Sequence, residues 1–375
     1  MIGLLQLARA AVVVALFVAA GPSCAAETAT ANDMARFLAG LQPAADSPLS
    51  VLTRERAWQQ HARYFDSAWR ELDNRQLSHI RQWSSENLAV RQPTTFYMFG
   101  GPDFLYVDAF LPGSATYVLS GLEEVGRLPE MGSITSSTLP GVLDDLHAST
   151  RNVLRISYFL TKQMRYQLHD AQLNGTLPIL YTFLARSGKT IAGVALVKIE
   201  SDGSVKPWDG EPIEGAPNGV KIAFTSTEGK PQTLYYFNTD VSNDGLRNDG
   251  FLKFCEGLGV ADAFVKSAMY LMHKDSFSMV RDFLLAHSAT ILQDDTGIPV
   301  RFFKSEDWQV RPYGRYLGPI PYYGSRYYQQ QLSDLFRSQH AEPIAFGVGY
   351  RRRLNQSHLL LSTRQRSGIR VGDRP

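Results

Sequence analysis

The sequence has almost no cysteine. Its 375 residues contain two, Cys24 and Cys255, and Cys24 lies in an N-terminal segment that we expect to be removed. One remaining cysteine cannot form an intramolecular disulfide, which excludes a disulfide-stapled scaffold. A hydrophobic core must therefore stabilise the fold.

The sequence also lacks an excess of charge of either sign. Its 38 basic and 36 acidic residues give a formal net charge of +2. This balance argues against nucleic acid as the main partner. After residue 26 no apolar run approaches the length of a membrane span, so we predict no transmembrane segment in the mature chain.

Residues 1–26 predict a cleavable export signal. Arg9 precedes an apolar run from Ala10 to Ala20, and small residues follow up to Ala25 and Ala26. Such a segment is typical of a signal peptide cut after Ala25 or Ala26, with an uncleaved anchor as the alternative. The residues before Cys24 lack the aliphatic side chain of a lipoprotein signal. We therefore expect a periplasmic or secreted protein without a lipid anchor.

Familiar catalytic and phosphate-binding motifs are absent. There is no G-x-S-x-G, H-E-x-x-H or C-x-x-C, and no G-x-G-x-x-G opens a helix after a strand. The stretch from Ser187 to Thr190 resembles the end of a phosphate loop but lacks the first glycine. The stretch from Asp240 to Gly245 resembles a calcium loop, but Phe251 replaces its last glutamate. The motifs predict no metal site and indicate no cofactor.

What is present is a possible internal repeat. The stretch YMFGGPDFLYVDAFLPGSAT (97–116) matches YLMHKDSFSMVRDFLLAHSAT (270–290) at eight positions. Each copy reads as strand, helix and strand. In the second copy we expect a strand at Met269–Met272, a helix at Ser276–His287 and a strand at Thr290–Leu292. Coincidence between similar β-α-β units is the alternative.

The remaining patterns predict an α/β fold with a mixed sheet. A helical pair is expected within residues 47–90, after a linker at 27–46, and residues 47–350 form one domain. A basic, disordered tail follows at 351–375, with seven arginines and one acid. The other expected elements are helices at Leu139–His169, Phe251–Leu258 and Val260–Ala268, and hairpins pairing Pro178–Ala185 with Thr190–Ile199, Val220–Thr225 with Thr233–Thr239, and Ile298–Phe303 with Trp308–Tyr313.

The repeat places polar residues where α/β sheets bind ligands, at the carboxyl ends of strands. The first copy offers Gly100, Gly101 and Asp103. The second offers His273, Lys274, Asp275 and Ser276, and its last strand leads to Asp294. We treat His273, Asp275 and Asp294 as candidate acid/base residues and the others as ligand contacts. Helix caps and ordinary turns are the alternative explanation.

A second candidate region is rich in tyrosine and arginine, RPYGRYLGPIPYYGSRYYQQQ from Arg311. Tyr313, Arg315 and Tyr316 are its candidate ligand contacts, because aromatic rings and planar donors suit sugars and acidic groups. Aromatic packing of a Pro/Gly-rich loop is the alternative.

The segments GGPDFLYVDAFLPGSATYVLSGLE and YLMHKDSFSMVRDFLLAHSATILQDD resemble an exported bacterial protein family. The likeness covers roughly residues 50–350 and implies export and one α/β unit. It carries no activity and no catalytic residues.

Three hypotheses for the function follow. The first is an exported, non-catalytic protein that binds a small molecule or an envelope glycan, or is associated with the envelope. The second is a hydrolase acting on a cell-envelope or imported polymer, with His273, Asp275 or Asp294 as acid or base and Tyr313, Arg315 and Tyr316 holding the substrate. The third is an interaction scaffold whose tail and tyrosine-rich stretch contact a partner protein. Contact of the basic tail with an anionic surface is a separate expectation.

Overall fold

A computed structural model describes residues 23–88, 90–129, 132, 134–156, 173–208 and 217–365. Its helices are α1 (Ser23–Leu38), α2 (Arg56–Leu72), α3 (Ser78–Asn87), α4 (Phe104–Phe110), α5 (Leu139–Ile156), α6 (Leu177–Arg186), α7 (Asn243–Leu246), α8 (Phe251–Gly257), α9 (Ser278–His287) and α10 (Gln330–Ser338). Its strands are β1 (Thr94–Tyr97), β2 (Thr116–Gly121), β3 (Thr190–Ile199), β4 (Val205–Pro207), β5 (Gly219–Thr225), β6 (Pro231–Asn238), β7 (Ala261–Val265), β8 (Ser288–Gln293), β9 (Trp308–Gly314) and β10 (His358–Arg364).

The strands form one mixed sheet in the order β4-β3-β5-β6-β2-β1-β7-β8-β10-β9. The five central strands, β6 to β8 in that order, run parallel. The strands on both flanks are antiparallel to their neighbours. Helices cover both faces, so the predicted α/β class with a mixed sheet is confirmed.

Two β-α-β units stand side by side at the centre of this sheet. The first is β1-α4-β2 and the second is β7-α9-β8, with β1 paired to β7. Helix α4 packs in the core that holds Tyr97 and Leu119, whereas α9 packs in the core that holds Phe96 and Ile291. The two helices therefore cover opposite faces. Chain connections leave the β1-β7 pair in opposite directions, which makes this pair a topological switch point.

The first strand of the second unit differs from the prediction. Met269–Met272 is not a strand, and β7 instead forms at Ala261–Val265, where a helix at Val260–Ala268 was expected. The loop from β7 to α9 is longer than the loop from β1 to α4, so the sequence alignment placed the strand too late. Tyr270 lies in that loop with a positive φ of 57°.

Residues 178–185 form most of helix α6 rather than a strand. A continuous apolar run fits a buried helix or a buried strand equally well, so periodicity could not decide between them. Every residue from Leu177 to Ala185 is buried, and Pro178 occupies the first turn, where proline suits a helix. Strand β3 therefore pairs with β5 and β4 instead. The second predicted hairpin, β5 with β6, is confirmed.

The segment at 27–46, expected to be a linker, belongs to the fold. Helix α1 runs to Leu38, and the side chains of Met34, Phe37 and Leu38 are fully buried. The helix lies against α6 and β3. The few large apolar residues of α1 face those elements. Most of the other residues in the segment are small or polar, which is why its composition predicts a linker. The expected helical pair within 47–90 is present as α2 and α3, joined by a π-helical turn at Asp73–Leu77.

The predicted basic tail contains a strand with neighbours on both sides. β10 lies between β8 and β9 and is antiparallel to both, and Leu359, Leu360 and Leu361 are buried. β9 therefore pairs with β10 and not with residues 298–303, which include a 3-10 turn at Val300–Phe302. Residues 366–375, the expected export signal up to residue 22 and residues 157–172 of the predicted long helix lie outside the described residues. Within the described residues, none of the helices combines the length and apolar character needed to cross a bilayer.

A pair of histidines joins the helices on one face. His61 Nε2 donates to the Leu38 carbonyl at 2.8 Å, and His61 Nδ1 lies 2.9 Å from His147 Nε2. Because Nε2 of His61 carries a proton, Nδ1 accepts and His147 donates. Burial, and then the neighbouring His147, lower the pKa of His61 to about 3. Nearby charges are Arg186 and Asp144.

This pair predicts loss of stability in acid. The pKa of His61 in the folded protein lies below its ordinary value of 6.5, so the unfolded chain takes up a proton first as the pH falls. The free energy of unfolding should therefore decrease below pH 6.5, by about 2 kcal/mol at pH 5 from His61 alone. Urea titrations at pH 7.5 and pH 5 should show a smaller decrease for His61→Gln, which keeps the donor to Leu38. His79→Gln is the control, and an equal change in both variants would contradict the assignment.

The position of β10 predicts that the end of the chain is needed for folding. Truncation after Tyr350 removes a strand with partners on both sides, so the cooperative unfolding transition should disappear. Truncation after Gln365 keeps β10 and should preserve the transition. Thermal unfolding followed by circular dichroism checks both, and cooperative unfolding of the shorter chain would contradict the observed strand order.

Candidate functional site

The carboxyl ends of β1, β7 and β8 bring buried charged residues together. Asp103 follows β1, Lys266 follows β7, and Asp294 and Asp295 follow β8, while His358 begins β10 at the same edge of the sheet. Each has a relative exposure of 4% or less. We call these five residues the carboxyl-edge cluster. Its place at the switch point is the usual position of ligand sites in open α/β sheets.

An ion pair between Asp103 and Lys266 connects the two β-α-β units. Lys266 Nζ lies 2.7 Å from Asp103 Oδ2, and both side chains are 1% exposed. Asp103 also caps helix α4 by accepting from the Tyr106 N–H at 3.1 Å, and it accepts from the Tyr97 hydroxyl at 3.1 Å. Burial lowers the pKa of Lys266, and Asp103 opposes this change. The pair thus ties the helix cap of one unit to the strand end of the other.

The two adjacent aspartates after β8 have separate partners. Asp294 accepts from the N–H groups of Ser267 at 2.9 Å and Thr296 at 3.0 Å. Burial, followed by the charge of Asp295, raises the pKa of Asp294. Asp295 accepts from the Tyr270 hydroxyl at 2.5 Å, and burial raises the pKa of Tyr270, which Asp295 raises further. Tyr270 therefore donates its proton to a carboxylate.

His358 is held in one tautomer. The Asp295 N–H donates to His358 Nε2 at 3.1 Å, so this nitrogen presents a lone pair and the proton resides on Nδ1. The 3.3 Å distance from Nε2 to Asp295 Oδ1 is then a close approach rather than an ion pair. Within the described part of the chain His358 Nδ1 has no hydrogen-bond partner, although the residue is 1% exposed.

The loop after β7 has an unusual backbone. Ser267, Met269 and Tyr270 have φ angles of 57°, 53° and 57°, in the left-handed region that non-glycine residues seldom occupy. Such conformations cost of order 1–3 kcal/mol each and concentrate at functional sites. Here the hydrogen bond from Ser267 N–H to Asp294 and the bond from the Tyr270 hydroxyl to Asp295 hold the loop in place.

Residues 315–328, which we call the tyrosine loop, pack over this strained segment. The rings of Tyr270 and Tyr327 stack at 4.5 Å, and the Ile320 N–H donates to the Tyr270 hydroxyl at 2.8 Å. The Tyr323 hydroxyl donates to the Tyr350 hydroxyl at 2.8 Å, and the Tyr350 hydroxyl donates to the Ser267 carbonyl. The loop thus covers one side of the carboxyl-edge cluster.

The structure gathers four of the predicted site residues and separates the rest. Asp103 and Asp294 belong to the cluster, His273 contacts Tyr270 at 5.1 Å between ring centroids, and Tyr316 contacts His358 at 5.2 Å. The side chains of four others are exposed and do not join them: Lys274, Asp275, Ser276 and Arg315. Tyr313 lies in the core against Trp83, and its hydroxyl donates to Asn87, as the packing alternative predicts.

The predicted glycine pair has neighbours that explain it by packing. A Cβ at Gly100 would lie 2.2 Å from the Tyr97 ring. Gly101 has a φ of 58°, and a Cβ there would lie 3.2 Å from Glu123 Oε2. Glycine at these two positions thus allows the side chains of Tyr97 and Glu123 to approach the backbone. Ligand contact at Gly100 and Gly101 stays a prediction.

Sequence reasoning missed Lys266, Ser267, Tyr270 and His358 as site residues. Lys266 directly follows the apolar residues Ala263, Phe264 and Val265, where an ionisable residue signals a buried partner. His358 precedes three leucines, which indicate a buried strand, but the arginines on both sides of this stretch favoured a solvated tail. Within the described residues no group of three or more histidines, cysteines and acids is arranged to hold a metal ion.

Comparison of the chain with protein-family models, curated proteins and solved structures finds no match in any of the three.

The ion pair predicts an asymmetry between single and double substitutions. Lys266→Met leaves the buried Asp103 carboxylate without its cation and should cost about 3–5 kcal/mol of unfolding free energy. Adding Asp103→Asn removes that charge and keeps an oxygen to cap α4, so part of the loss should be recovered. Urea denaturation of the two single variants and the double variant measures the coupling. Additive losses would show that the two charges do not stabilise one another.

Proposed function

We propose that this chain is an exported, non-catalytic ligand-binding protein, and that its ligand binds between the carboxyl-edge cluster and the tyrosine loop. The observation that carries the proposal is a concentration of buried polar atoms without partners in this region. They are Ser267 Oγ, His273 Nε2, the Tyr316 hydroxyl, Arg351 Nε and His358 Nδ1, each without a hydrogen bond to the described residues. Buried polar groups are nearly always paired, so a group of exceptions in one place favours a ligand there.

Several contacts connect these atoms to one neighbourhood. The Ser267 N–H donates to Asp294, and Asp294 is followed by Asp295, whose N–H donates to His358. His273 packs on Tyr270, the donor to Asp295. Arg351 Nη2 donates to the Gly318 carbonyl in the tyrosine loop at 2.9 Å.

The hydrogen-bonding roles of the unpaired atoms indicate which polar groups the ligand carries. His358 Nδ1 and Arg351 Nε are donors, and the hydroxyls of Ser267 and Tyr316 donate or accept. Burial lowers the pKa of His273 to about 4, and Nε2 of the neutral ring donates or accepts according to its tautomer. Two fixed donors among groups that can also donate suit a small molecule or glycan end that carries hydroxyl or carboxylate oxygens.

Binding is favoured over catalysis by the state of the candidate acid/base groups. A general base works best with a pKa near the operating pH, and the pKa of His273 lies well below it. The exposed Asp275 is separated from the cluster. Both aspartates after β8 already accept hydrogen bonds from the protein.

One observation supports the hydrolase as a second candidate. Burial raises the pKa of Asp294, and a raised pKa makes a carboxyl group better suited to act as a general acid. For a hydrolase, Asp294→Asn would abolish turnover while ligand binding persisted. For a binding protein, no turnover would exist to lose.

The binding proposal predicts stabilisation by a ligand that depends on the unpaired donors. A thermal-shift screen would use galacturonate, N-acetylglucosamine, citrate and phosphate as probes. A ligand at a hundred times its Kd should stabilise the protein by about 2.7 kcal/mol, a Tm shift of roughly 3–4 °C. His358→Gln keeps an acceptor for the Asp295 N–H and removes the Nδ1 donor, so it should weaken the shift. Arg351→Lys, which removes Nε–H and keeps the charge, should do the same.

Ser362→Ala is the matched control. Ser362 lies on β10 like His358, is fully buried and has an unpaired hydroxyl, yet it pairs with Ile291 and Val310 away from the cluster. Its substitution should leave the ligand shift unchanged. A shift that survives both His358→Gln and Arg351→Lys would place the ligand elsewhere, and no shift with any probe would move support to the scaffold hypothesis.

A further inference from the structure

We infer that the tyrosine loop recognises an acidic glycan, that is, a polysaccharide whose sugars carry carboxylates. This inference rests on the proposed function and names the class of its ligand. Its starting point is a row of aromatic rings from solvent to the carboxyl-edge cluster. Tyr322 is 89% exposed and contacts Tyr323 at 5.1 Å, and Tyr323 contacts Tyr270 at 5.5 Å. Tyr270 bonds to Asp295.

The loop that presents Tyr322 is fixed before any ligand binds. Two 3-10 turns, Pro321–Tyr323 and Ser325–Tyr327, are joined by Gly324 with a φ of 89°. Arg351 Nη2 donates to the carbonyls of Gly318 at 2.9 Å and Pro319 at 3.1 Å. An exposed aromatic ring on a preorganised backbone loses little conformational entropy on binding, and a tyrosine ring offers a flat apolar face with a polar edge, which suits the face of a sugar.

The positive charge of the arginines around the loop favours a sugar that carries a carboxylate. Arg301, Arg315 and Arg326 are exposed and form no ion pair with the described residues. No acidic residue occurs in the sequence between Asp307 and Asp334. The guanidinium of Arg326 lies 5.0 Å from the centre of the Tyr327 ring. Such a guanidinium is suited to bidentate contact with a carboxylate.

An anionic membrane is the competing partner, and the side chains favour the glycan. Membrane-binding surfaces present large apolar side chains that enter the acyl region. Here the most exposed large side chain is the Tyr322 ring at 89%, against 40% for Leu317 in the same loop and 43% for Met269 in the strained segment. The neighbouring Tyr323 directs its hydroxyl to Tyr350. Tyr270, which contacts Tyr323, stacks on Tyr327 inside the protein.

The test is calorimetric titration of the purified protein with octagalacturonate, with maltooctaose as a neutral chain of equal length. Tyr322→Ala should weaken octagalacturonate binding about tenfold, and Tyr322→Phe, which keeps the ring, should restore it to within about twofold. Arg326→Gln should weaken binding and reduce its dependence on salt. Arg151→Gln, at an exposed arginine on α5, is the control and should bind like the unmodified protein.

Each other result contradicts the inference. Equal binding of maltooctaose would show that the ligand needs no carboxylates. Absence of octagalacturonate binding would exclude an acidic glycan as the ligand. Co-sedimentation with phosphatidylglycerol vesicles that Tyr322→Ala abolishes would assign the loop to a membrane. If Tyr322→Ala changes nothing while His358→Gln weakens a ligand shift, the proposed function stands and the role of the loop fails. If neither variant has an effect on any ligand, both fail.

Discussion

The buried ion pair between Asp103 and Lys266 is the interaction on which the centre of this protein depends. Two charges at 1% exposure are costly to remove from water, and they are tolerated because each has several further contacts. Asp103 caps α4 and accepts a hydrogen bond from the Tyr97 hydroxyl. The Lys266 ammonium lies 4.0 Å from the centre of the Tyr106 ring. The pair fixes the ends of β1 and β7 against each other, and these strands carry the two β-α-β units.

From that fixed point the surrounding loops take their conformations. Lys266 is followed at once by the left-handed residues Ser267, Met269 and Tyr270. Asp294 and Asp295 hold this segment through Ser267 N–H and the Tyr270 hydroxyl. The tyrosine loop then packs on Tyr270. The exposed rings are therefore connected, contact by contact, to the buried charges.

Local patterns predicted the elements whose stability is local. The apolar stripe of α2, the helix after Asp103 and the β5-β6 hairpin each follow from spacing and turn residues. Six segments were assigned wrongly, at 27–46, 178–185, 260–268, 269–272, 298–303 and 358–364. A short or continuous apolar run has no period that separates a helix from a strand. For β7 and β10 the deciding factor is pairing with strands that are distant in sequence, and local propensity does not report such partners.

The sequence by itself determined the α/β class, the presence of two β-α-β units and the carboxyl edge as the place to look for a site. It placed Asp103 and Asp294 at that edge, because both follow strands that the structure contains. His273 was placed there through a strand at Met269–Met272 that does not form, and Tyr316 was placed in a separate aromatic region. Only the tertiary structure paired Asp103 with Lys266, 163 residues apart, and brought His358 from an apparent tail to Asp295. Buried charges and hydrogen bonds specify one partner at short range, and that partner is set by the order of strands in the sheet.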